Sequence, residues 1–287
     1  MNEQEINIVE TKIDRNECDG QVELQVSQPS FFLDKLFFED CRETMNKIPK
    51  ECIDLVVTSP PYNIGIKYDE LVQDNLTIDK YLIFTEEYLR GIYKILKQDG
   101  RLCLNIGYKV STIINEGIDY VKLLNIAQSI GFRLRETIIW VKTRQRDNPQ
   151  NFCGANTAWG SWLSPSNPIC RARMEFIFVF EKKYSTKQNK GVSDLTPEEF
   201  MEYSTNVWYF PAEINRFHKA PFPIELPKRC IKLYSYLEEI IYDPFAGSGT
   251  TLKAAELLKR KWCGSEIIKK YIDYSENRLS DFFRRSG

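Results

Sequence analysis

The sequence predicts an α/β fold in which helices cover both faces of a doubly wound, mainly parallel β-sheet. Short apolar runs recur along the chain, segments of about 10–15 residues with helical spacing separate them, and glycine or proline ends several of the runs. Strands that alternate with helices form parallel sheets, because each helix returns the chain to the edge where the previous strand began. With 287 residues, 43% of them hydrophobic, the chain is long enough to build one sizeable core.

The predicted elements begin with a strand over 53–58, an apolar run that the prolines at 60 and 61 terminate. A helix is predicted over 77–96, where apolar residues recur at helical spacing, and Gln98-Asp99-Gly100 is expected to end it. The other predicted elements, in chain order, are strand 101–106, helix 121–130, strands 135–141, 174–180 and 240–242, helix 251–259 and strand 261–265.

Two polar stretches, 143–173 and 182–206, interrupt this alternation. We interpret both as insertions in a single domain over 31–287, which follows a flexible leader formed by residues 1–30. The first stretch contains four arginines and almost no acidic residue, so it is a local electropositive patch in a chain with 39 basic and 40 acidic residues. The balanced bulk charge excludes a general polyanion binder, and any contact with nucleic acid must be local.

Histidine and cysteine usage excludes several classes of enzyme. His218 is the only histidine, so Ser-His-Asp hydrolases and two-histidine zinc or iron sites are not expected, no metal is predicted, and His218 itself is expected to pack or cap. The eight cysteines include no C-x-x-C pair, which is typical of a reducing compartment. No run approaches the roughly 20 apolar residues that span a bilayer, and the first residues are too polar for a secretory signal. We therefore expect a cytoplasmic protein without membrane contact.

A glycine-containing loop, Asp243-Pro-Phe-Ala-Gly-Ser-Gly-Thr-Thr251, lies between a predicted strand and a predicted helix. Gly247 and Gly249 permit positive φ and a close approach of backbone to a ligand, and the helix that follows adds free N–H groups. A phosphate-binding P-loop would require a Gly-Lys-Ser/Thr ending, which is absent, whereas a tight structural turn remains the alternative. Because Glu266 follows the next predicted strand, where an acid can hold ribose hydroxyls, the arrangement favours an adenosine-containing cofactor.

A second loop, Ser59-Pro60-Pro61-Tyr62, follows the strand over 53–58. The two prolines stiffen the turn and leave the Pro60 carbonyl free to accept a hydrogen bond, while Tyr62 is presented at the rim of the sheet. A flat aromatic ring beside fixed acceptors suits a planar heterocycle that carries an amino group. The alternative is a stiff loop with a packed tyrosine.

Together the two loops resemble the S-adenosylmethionine-dependent amino-methyltransferases of DNA. In that family D-P-F-x-G-S-G-T-T is the cofactor loop and [D/N/S]-P-P-Y is the catalytic loop. Here the catalytic loop precedes the cofactor loop, as in the permuted β class of restriction–modification methylases, and the resemblance extends over 31–283. It implies a Rossmann-like sheet of the methyltransferase type with circularly permuted motif order. No cysteine has the Pro-Cys context of ring-carbon methylation.

The resemblance implies a role for each residue of the catalytic loop. The target base would be swung out of the duplex into the site, where Tyr62 stacks on it. The Ser59 side chain and the Pro60 carbonyl would accept hydrogen bonds from the exocyclic amine, with Pro61 completing the rigid turn. Transfer is then a direct in-line displacement that depends on positioning.

The same resemblance implies the cofactor residues. Glu266 would bind the ribose, and Asp40 the adenine amine, although Glu39 replaces the family's usual glycine before Asp40, which is otherwise a solvated acid. The backbone at Phe245, Gly247 and Gly249 would approach the methionine end, with Asp243 nearby, and Thr250 completes the expected cofactor-binding residues.

Serine at position 59 favours cytosine-N4 methylation, because S-P-P-Y is typical of the N4 enzymes of the family and D-P-P-Y of the adenine-N6 enzymes. The first alternative is adenine-N6 methylation of DNA, and methylation of RNA or of a protein amide is less favoured. A different kind of alternative is a non-catalytic DNA-binding subunit of a restriction system. The candidate DNA contacts are Arg144, Arg146, Arg171 and Arg173. Double-stranded DNA is the expected partner, a cognate restriction endonuclease would fit the same system, and the sequence leaves monomer and homodimer open.

Overall fold

Nine strands form a single mixed sheet in the part of the chain that the computed structural model describes. That part is residues 30–70, 72, 74–107, 120–145, 148–152, 161–168, 173–213, 218 and 220–285, with only the backbone course given for 144, 145, 148–152 and 280–285. The strands are β1 Lys35–Phe38, β2 Ile53–Thr58, β3 Leu96–Gly107, β4 Arg133–Gln145, β5 Asn148–Phe152, β6 Met174–Glu181, β7 Val207–Pro211, β8 Ile240–Asp243 and β9 Lys261–Glu266. The helices are α1 Cys41–Lys47, α2 Ile78–Ile95, α3 Tyr120–Ile130, α4 Pro197–Tyr203, α5 Glu225–Tyr234, α6 Thr250–Leu257 and α7 Lys269–Arg285, preceded by a 3₁₀ turn at Ser30–Phe32.

The strand order is β1-β9-β8-β2-β3-β6-β4-β5, with β7 paired to β4. The pairs β3–β6, β6–β4 and β4–β5 are antiparallel and all other pairs are parallel, so the predicted mainly parallel sheet is confirmed. β8 and β9, which come last in the chain, lie between β1 and β2. The sheet therefore changes direction of winding between β8 and β2, and ligands of open α/β sheets bind at the carboxyl ends of such strands.

Two hydrophobic cores lie on opposite faces of the sheet, which confirms the doubly wound arrangement. Val56 of β2 packs into the core that contains α2 residues such as Leu89 and Ile92. Its neighbours Leu55 and Val57 pack into the other core, which α5 and α6 complete. Side chains of a strand alternate between faces, so a strand buried on both sides is mainly apolar, as the run over 53–58 is. Its one buried acid, Asp54, pairs with Lys97 over 2.7 Å and accepts from the Ile240 N–H over 3.0 Å.

The predicted break at Gln98-Asp99-Gly100 is a bulge within β3. α2 ends at Ile95, and Leu96 already pairs with β2 before pairing resumes at Arg101. The Asp99 carboxylate accepts from the backbone N–H of Gln188 over 2.7 Å. This contact with a distant segment holds the turn at 98–100 within β3. A local sequence pattern does not reveal such a contact.

The polar stretch 182–206 lies at the edge of the sheet opposite the carboxyl ends of the parallel strands. Lys187 pairs with Glu239, just before β8, over 3.0 Å, and Asp194 pairs with the buried Arg260 over 2.8 Å. The stretch is polar in part because these charged side chains pair with residues at the amino ends of the strands. A role of 182–206 in target recognition stays a prediction.

β4 ends and β6 begins at the other edge, where the carboxyl ends of the parallel strands lie, so both ends of the stretch 143–173 are at this edge. This edge also carries the two loops singled out by the sequence. Residues 1–29 of the predicted leader lie outside the described residues. No helix in the described part of the chain is long and apolar enough to cross a bilayer.

Candidate active site

The two loops predicted to carry the chemistry meet at the carboxyl edge of the sheet. β2 ends at Thr58, whose hydroxyl donates to the carboxylate of Asp243, at the end of β8, over 2.7 Å. Because β2 and β8 are neighbours, the loops that follow them leave the sheet side by side. The pairing of two sequence motifs that are far apart in the chain is thus a consequence of strand order.

The catalytic loop, Ser59–Tyr62, forms one wall of a cavity of about 740 Å³. All four of its residues line the cavity. The Pro61 carbonyl accepts from the Tyr81 hydroxyl on α2 over 2.8 Å, and the side chain of Asn63 bonds the backbone of Leu76 through both its oxygen and its nitrogen. These contacts hold the loop in place and add to the stiffness of its two prolines.

The cofactor loop, Asp243–Thr251, has the backbone conformation that its glycines predict. Gly247 has φ of 53° and Gly249 has φ of 72°, both in the left-handed region, and Gly249 is the N-cap of α6. A Cβ at Gly247 would lie 2.6 Å from Nε2 of His218, so only glycine fits between the loop and this ring. The glycine thus allows His218 to pack directly on the loop, and Gly247 itself lines the cavity.

The structure brings most of the predicted cofactor residues into the cavity wall. Those that line it are Asp40, Phe245, Gly247, Thr250 and Glu266, whereas Asp243 and Gly249 shape the loop without lining the cavity.

Asp243 acts on the loop from its buried position at the end of β8. Its carboxylate accepts from the Thr58 hydroxyl and from the Phe245 backbone N–H over 3.0 Å. Burial raises the pKa of Asp243 to about 6, against the opposing effect of its hydrogen-bond donors. The residue thus ties the catalytic loop to the cofactor loop.

Glu266, at the end of β9, is a buried carboxylate on the cavity wall. Its two oxygens accept from the backbone N–H groups of Gly247 over 2.8 Å and Ile268 over 2.9 Å. Burial raises the pKa of Glu266 to about 7, although these backbone donors act in the opposite direction. A carboxylate oriented in this way can accept further hydrogen bonds from the hydroxyls of a ligand.

Asp40 lies at the cavity wall, but its carboxylate already has partners. It caps α1 by accepting from the backbone N–H of Arg42 over 2.8 Å, and it pairs with the Arg42 guanidinium over 2.9 Å. Although burial raises the pKa of Asp40, the Arg42 hydrogen bonds hold it below its usual range. The helix cap accounts for an acid at this position, and contact with an adenine amine stays a prediction.

A polar network that the motif analysis missed surrounds Tyr62. The Tyr62 hydroxyl lies 2.9 Å from Oγ of Ser59, and it accepts from Nδ2 of Asn105 over 3.0 Å. The same Nδ2 donates to Oε2 of Glu175 over 2.7 Å, and Tyr62 donates to that oxygen over 3.3 Å. Lys142 pairs with Oε1 of Glu175. All five side chains line the cavity.

Asn105 lies in β3 and Glu175 in β6, each within an apolar run and near the edge of the sheet where the parallel strands end. A polar side chain in a buried run is costly unless it is hydrogen-bonded, so this position is the signal that could have identified them. Their pairing across antiparallel strands could not be found without the sheet order.

His218 packs against Tyr271, with ring centroids 4.6 Å apart, as the expected packing role requires. Burial, helped by Arg278 and Lys270, lowers the pKa of His218 to about 4, so the imidazole is neutral at physiological pH. The ring also lines the cavity beside Gly247.

The four arginines predicted to contact DNA are only partly described. Arg146 and Arg171 lie outside the described residues, and only the backbone is described for Arg144. The backbone carbonyl of Arg173 accepts from the N–H of Lys142 over 2.9 Å. Arg173 thus stands at the entrance to β6, two residues before Glu175, next to the cavity.

The chain is similar to known type II methyltransferases over most of its length. Type II methyltransferase M.MjaVI of Methanocaldococcus jannaschii is 42% identical over 168 residues, which are 58% of this chain and 80% of that protein. Type II methyltransferase M.MjaI of the same organism is 28% identical over 291 residues and covers 88% of this chain and 93% of that protein.

Solved structures show the same fold. The protein TTHA0409 of Thermus thermophilus, described as a putative DNA modification methylase and complexed with S-adenosyl-L-methionine, superposes with a TM-score of 0.67 at 25% identity, covering 86% of this chain and 93% of that one. The cytosine-N4-specific PvuII DNA methyltransferase superposes with a TM-score of 0.62 at 21% identity, covering 87% and 91%. A profile of the N6/N4 DNA methylases matches residues 53–277, and the chain therefore belongs to this family of S-adenosylmethionine-dependent DNA methyltransferases of restriction–modification type.

Proposed function

We propose that this chain methylates the exocyclic N4 of cytosine in double-stranded DNA, as the modification enzyme of a restriction–modification system, and that it acts in the cytoplasm. The observation that carries the choice of base is Ser59, a neutral hydroxyl at the head of the catalytic loop, which lines the cavity and lies 3.4 Å from Nδ2 of Asn105. An amine needs only acceptors to be oriented, and a hydroxyl together with a carbonyl provides two.

The cavity fits S-adenosyl-L-methionine, the cofactor of the family. Its volume of about 740 Å³ lies in the range of small-molecule sites. Gly247 lines the cavity with His218 packed beside it, and the Glu266 carboxylate, which accepts from the Gly247 N–H, lies on the same cavity wall for ribose hydroxyls. When bound, the cofactor supplies a methyl group whose bond to sulfur breaks with its electron pair left on sulfur, while the amine lone pair forms the new N–C bond.

The residues of the chain position the base. We propose that Tyr62 stacks on the flipped cytosine and that Ser59 Oγ and the Pro60 carbonyl accept from its amine, so that the nitrogen lone pair points towards the cofactor. Because Tyr81 and Asn63 fix the loop, these acceptors are in place before the base arrives. Preorganisation of this kind lowers the barrier without requiring a nucleophile.

The test uses purified protein, S-adenosylmethionine labelled in its methyl group and mixed-sequence duplex DNA, followed by digestion to nucleosides and mass spectrometry. We expect labelled N4-methylcytosine. Labelled N6-methyladenine would overturn the choice of base and leave the family assignment intact. No label in DNA, with measurable cofactor binding, would overturn catalysis in favour of a non-catalytic DNA-binding subunit.

The arginine patch is expected to contribute to DNA affinity mainly through phosphates. Replacing Arg144 and Arg171 together by alanine should weaken DNA binding and reduce the slope of log K against log salt by about 2, since each phosphate contact contributes about 0.9. Fluorescence anisotropy of a labelled duplex at several salt concentrations measures the slope.

The matched control is Arg133→Ala, which removes an arginine paired with Glu181 at the opposite edge of the sheet. It should leave the slope unchanged. Equal slopes in the double variant and the wild type would contradict the assignment of the patch to DNA.

Cofactor affinity is expected to rise with pH because of Glu266. Its pKa is raised to about 7, so below that pH the carboxyl is protonated and must lose a proton before it can accept from two ribose hydroxyls. Binding therefore strengthens as pH rises through 7 and levels off above it, by about tenfold between pH 6 and pH 8. Calorimetric titration with S-adenosylmethionine over this range measures the trend.

The Glu266→Gln variant should bind S-adenosylmethionine more weakly than the wild type, and its affinity should no longer rise with pH. Asp243 has a pKa of about 6 and accounts for any dependence that remains in the variant, whereas His218, with a pKa of about 4, stays neutral throughout. A wild-type affinity that falls as pH rises would contradict the role of Glu266.

A further inference from the structure

Methylation of an amine leaves one proton to be removed, and the structure contains a chain of hydroxyls that ends at a carboxylate. Ser59 is placed to accept from the amine, as proposed above, but a serine hydroxyl cannot keep a second proton. Ser59 Oγ lies 2.9 Å from the Tyr62 hydroxyl, which in turn lies 3.3 Å from Oε2 of Glu175. The proton has a continuous path from the base to this carboxylate.

We propose that Glu175 is the terminal acceptor of the proton that leaves the target amine, and that Ser59 and Tyr62 relay it. The N–H bond of the amine breaks with its electron pair left on nitrogen, and Ser59 Oγ gains the proton. Ser59 passes its own proton to Tyr62, and Tyr62 passes its own to Oε2 of Glu175. The two hydroxyls end unchanged, and the carboxylate becomes a carboxylic acid.

The partners of Tyr62 orient the relay in this direction. Nδ2 of Asn105 donates to the Tyr62 oxygen over 3.0 Å, so that this oxygen accepts and its own O–H points onward. Nδ2 also donates to Oε2 of Glu175 over 2.7 Å, which holds the accepting oxygen beside the tyrosine. A hydroxyl that accepts from Asn105 and Ser59 has one proton left to donate. The Asn105 backbone carbonyl and Oε2 of Glu175 both lie 3.3 Å from it, and of the two only the carboxylate can keep the proton.

Lys142 holds the other end of the same carboxylate. Its ammonium group pairs with Oε1 of Glu175, so Oε2 is left facing Tyr62 and Asn105. Glu175 side-chain exposure is 14% and that of Lys142 is 25%, which leaves a route to water for the proton after each turnover. Glu175 is a proton acceptor that acts through Tyr62, without touching the base.

The inference rests on the proposed methylation of an amine, and the experiment separates the two. Single-turnover rates are measured with labelled cofactor and saturating DNA for Glu175→Gln, Tyr62→Phe and the double variant, each of which preserves side-chain shape. We expect each single variant to lower the rate about 100-fold, which is a typical contribution of general acid–base catalysis. The double variant should lose no more than either single variant, because both changes cut the same relay.

Two binding measurements show whether Glu175 is only structural. S-adenosylmethionine affinity and the fluorescence of 2-aminopurine at the target position, which reports the flipped base, should be unchanged in Glu175→Gln. The matched control is Glu181→Gln on the same strand, since Glu181 also pairs with basic residues of β4, at the opposite end. It should retain the wild-type rate.

A rate within threefold of wild type in Glu175→Gln, losses that multiply in the double variant, or loss of cofactor or base binding would each overturn the relay. In those cases the wild-type enzyme still labels an amine of DNA, and the proposed function stands. If the wild type labels no amine, the proposed function has failed and the relay fails with it.

Discussion

Replacing Tyr62 by alanine is expected to lower methyl transfer to DNA by at least about 1,000-fold while leaving cofactor affinity unchanged. Stacking of an aromatic side chain on a base contributes about 1–3 kcal/mol, and the variant loses this energy together with the hydroxyl. The cofactor loop should not respond, because it is anchored by Asp243, Glu266 and Ser275, none of which contacts Tyr62 in the hydrogen bonds described.

The comparison with Tyr62→Phe separates the ring from the hydroxyl. Phenylalanine keeps the stacking surface, so DNA affinity and 2-aminopurine fluorescence should match the wild type, whereas alanine should lower both. Anisotropy and fluorescence titrations with a duplex that contains the recognition sequence, once it is known, measure these quantities. Wild-type base binding in Tyr62→Ala would contradict the proposed role of the ring.

Replacing Gly247 by alanine is expected to abolish binding of S-adenosylmethionine at concentrations that saturate the wild type. Gly247 has φ of 53°, where an L side chain is strained by about 1–2 kcal/mol. Its Cβ would also lie 2.6 Å from the imidazole of His218, which packs on the buried ring of Tyr271. The loop cannot move to relieve the contact without losing the bond from the Gly247 N–H to Glu266, so we expect affinity to fall by at least about 100-fold.

The control is Gly131→Ala at the turn between α3 and β4, away from the cavity. Gly131 has φ of 118°, and a Cβ there would lie 2.9 Å from the Tyr93 hydroxyl, so the local strain is similar. This variant should be destabilised and still bind the cofactor. Calorimetry, together with the increase of melting temperature on adding S-adenosylmethionine, measures both effects. Equal cofactor affinity in Gly247→Ala and the wild type would contradict the assignment of the loop.

Several parts of the fold followed from the sequence because they depend on local patterns. β2 matches its predicted bounds because a strand buried on both faces is mainly apolar, as Ile53, Leu55, Val56 and Val57 make it. The positive φ of Gly247 and Gly249 followed from residue type, since few other residues adopt it. Loops of this kind carry their geometry in a few consecutive residues, so a short segment is sufficient to predict it.

Other elements were not predicted because their residues are polar for reasons of tertiary contact. α5 contains Arg229, which is 2% exposed and pairs with Glu225 and Glu202. A charged residue at that position obscures the apolar face of the helix. The polar residues of 182–206 likewise include Lys187 and Asp194, whose ion pairs with Glu239 and Arg260 a local pattern does not reveal.

The sequence by itself determined the family, the cofactor loop, the catalytic loop and the mainly parallel sheet, because each depends on residue types at short spacing. Only the tertiary structure decided which polar residues share the cavity with Tyr62. Asn105, Lys142 and Glu175 come from three strands whose order, β3-β6-β4, does not follow the chain. Hydrogen bonds such as the 2.7 Å contact between Asn105 and Glu175 form between residues distant in sequence, and their existence depends on strand register, which no local pattern specifies.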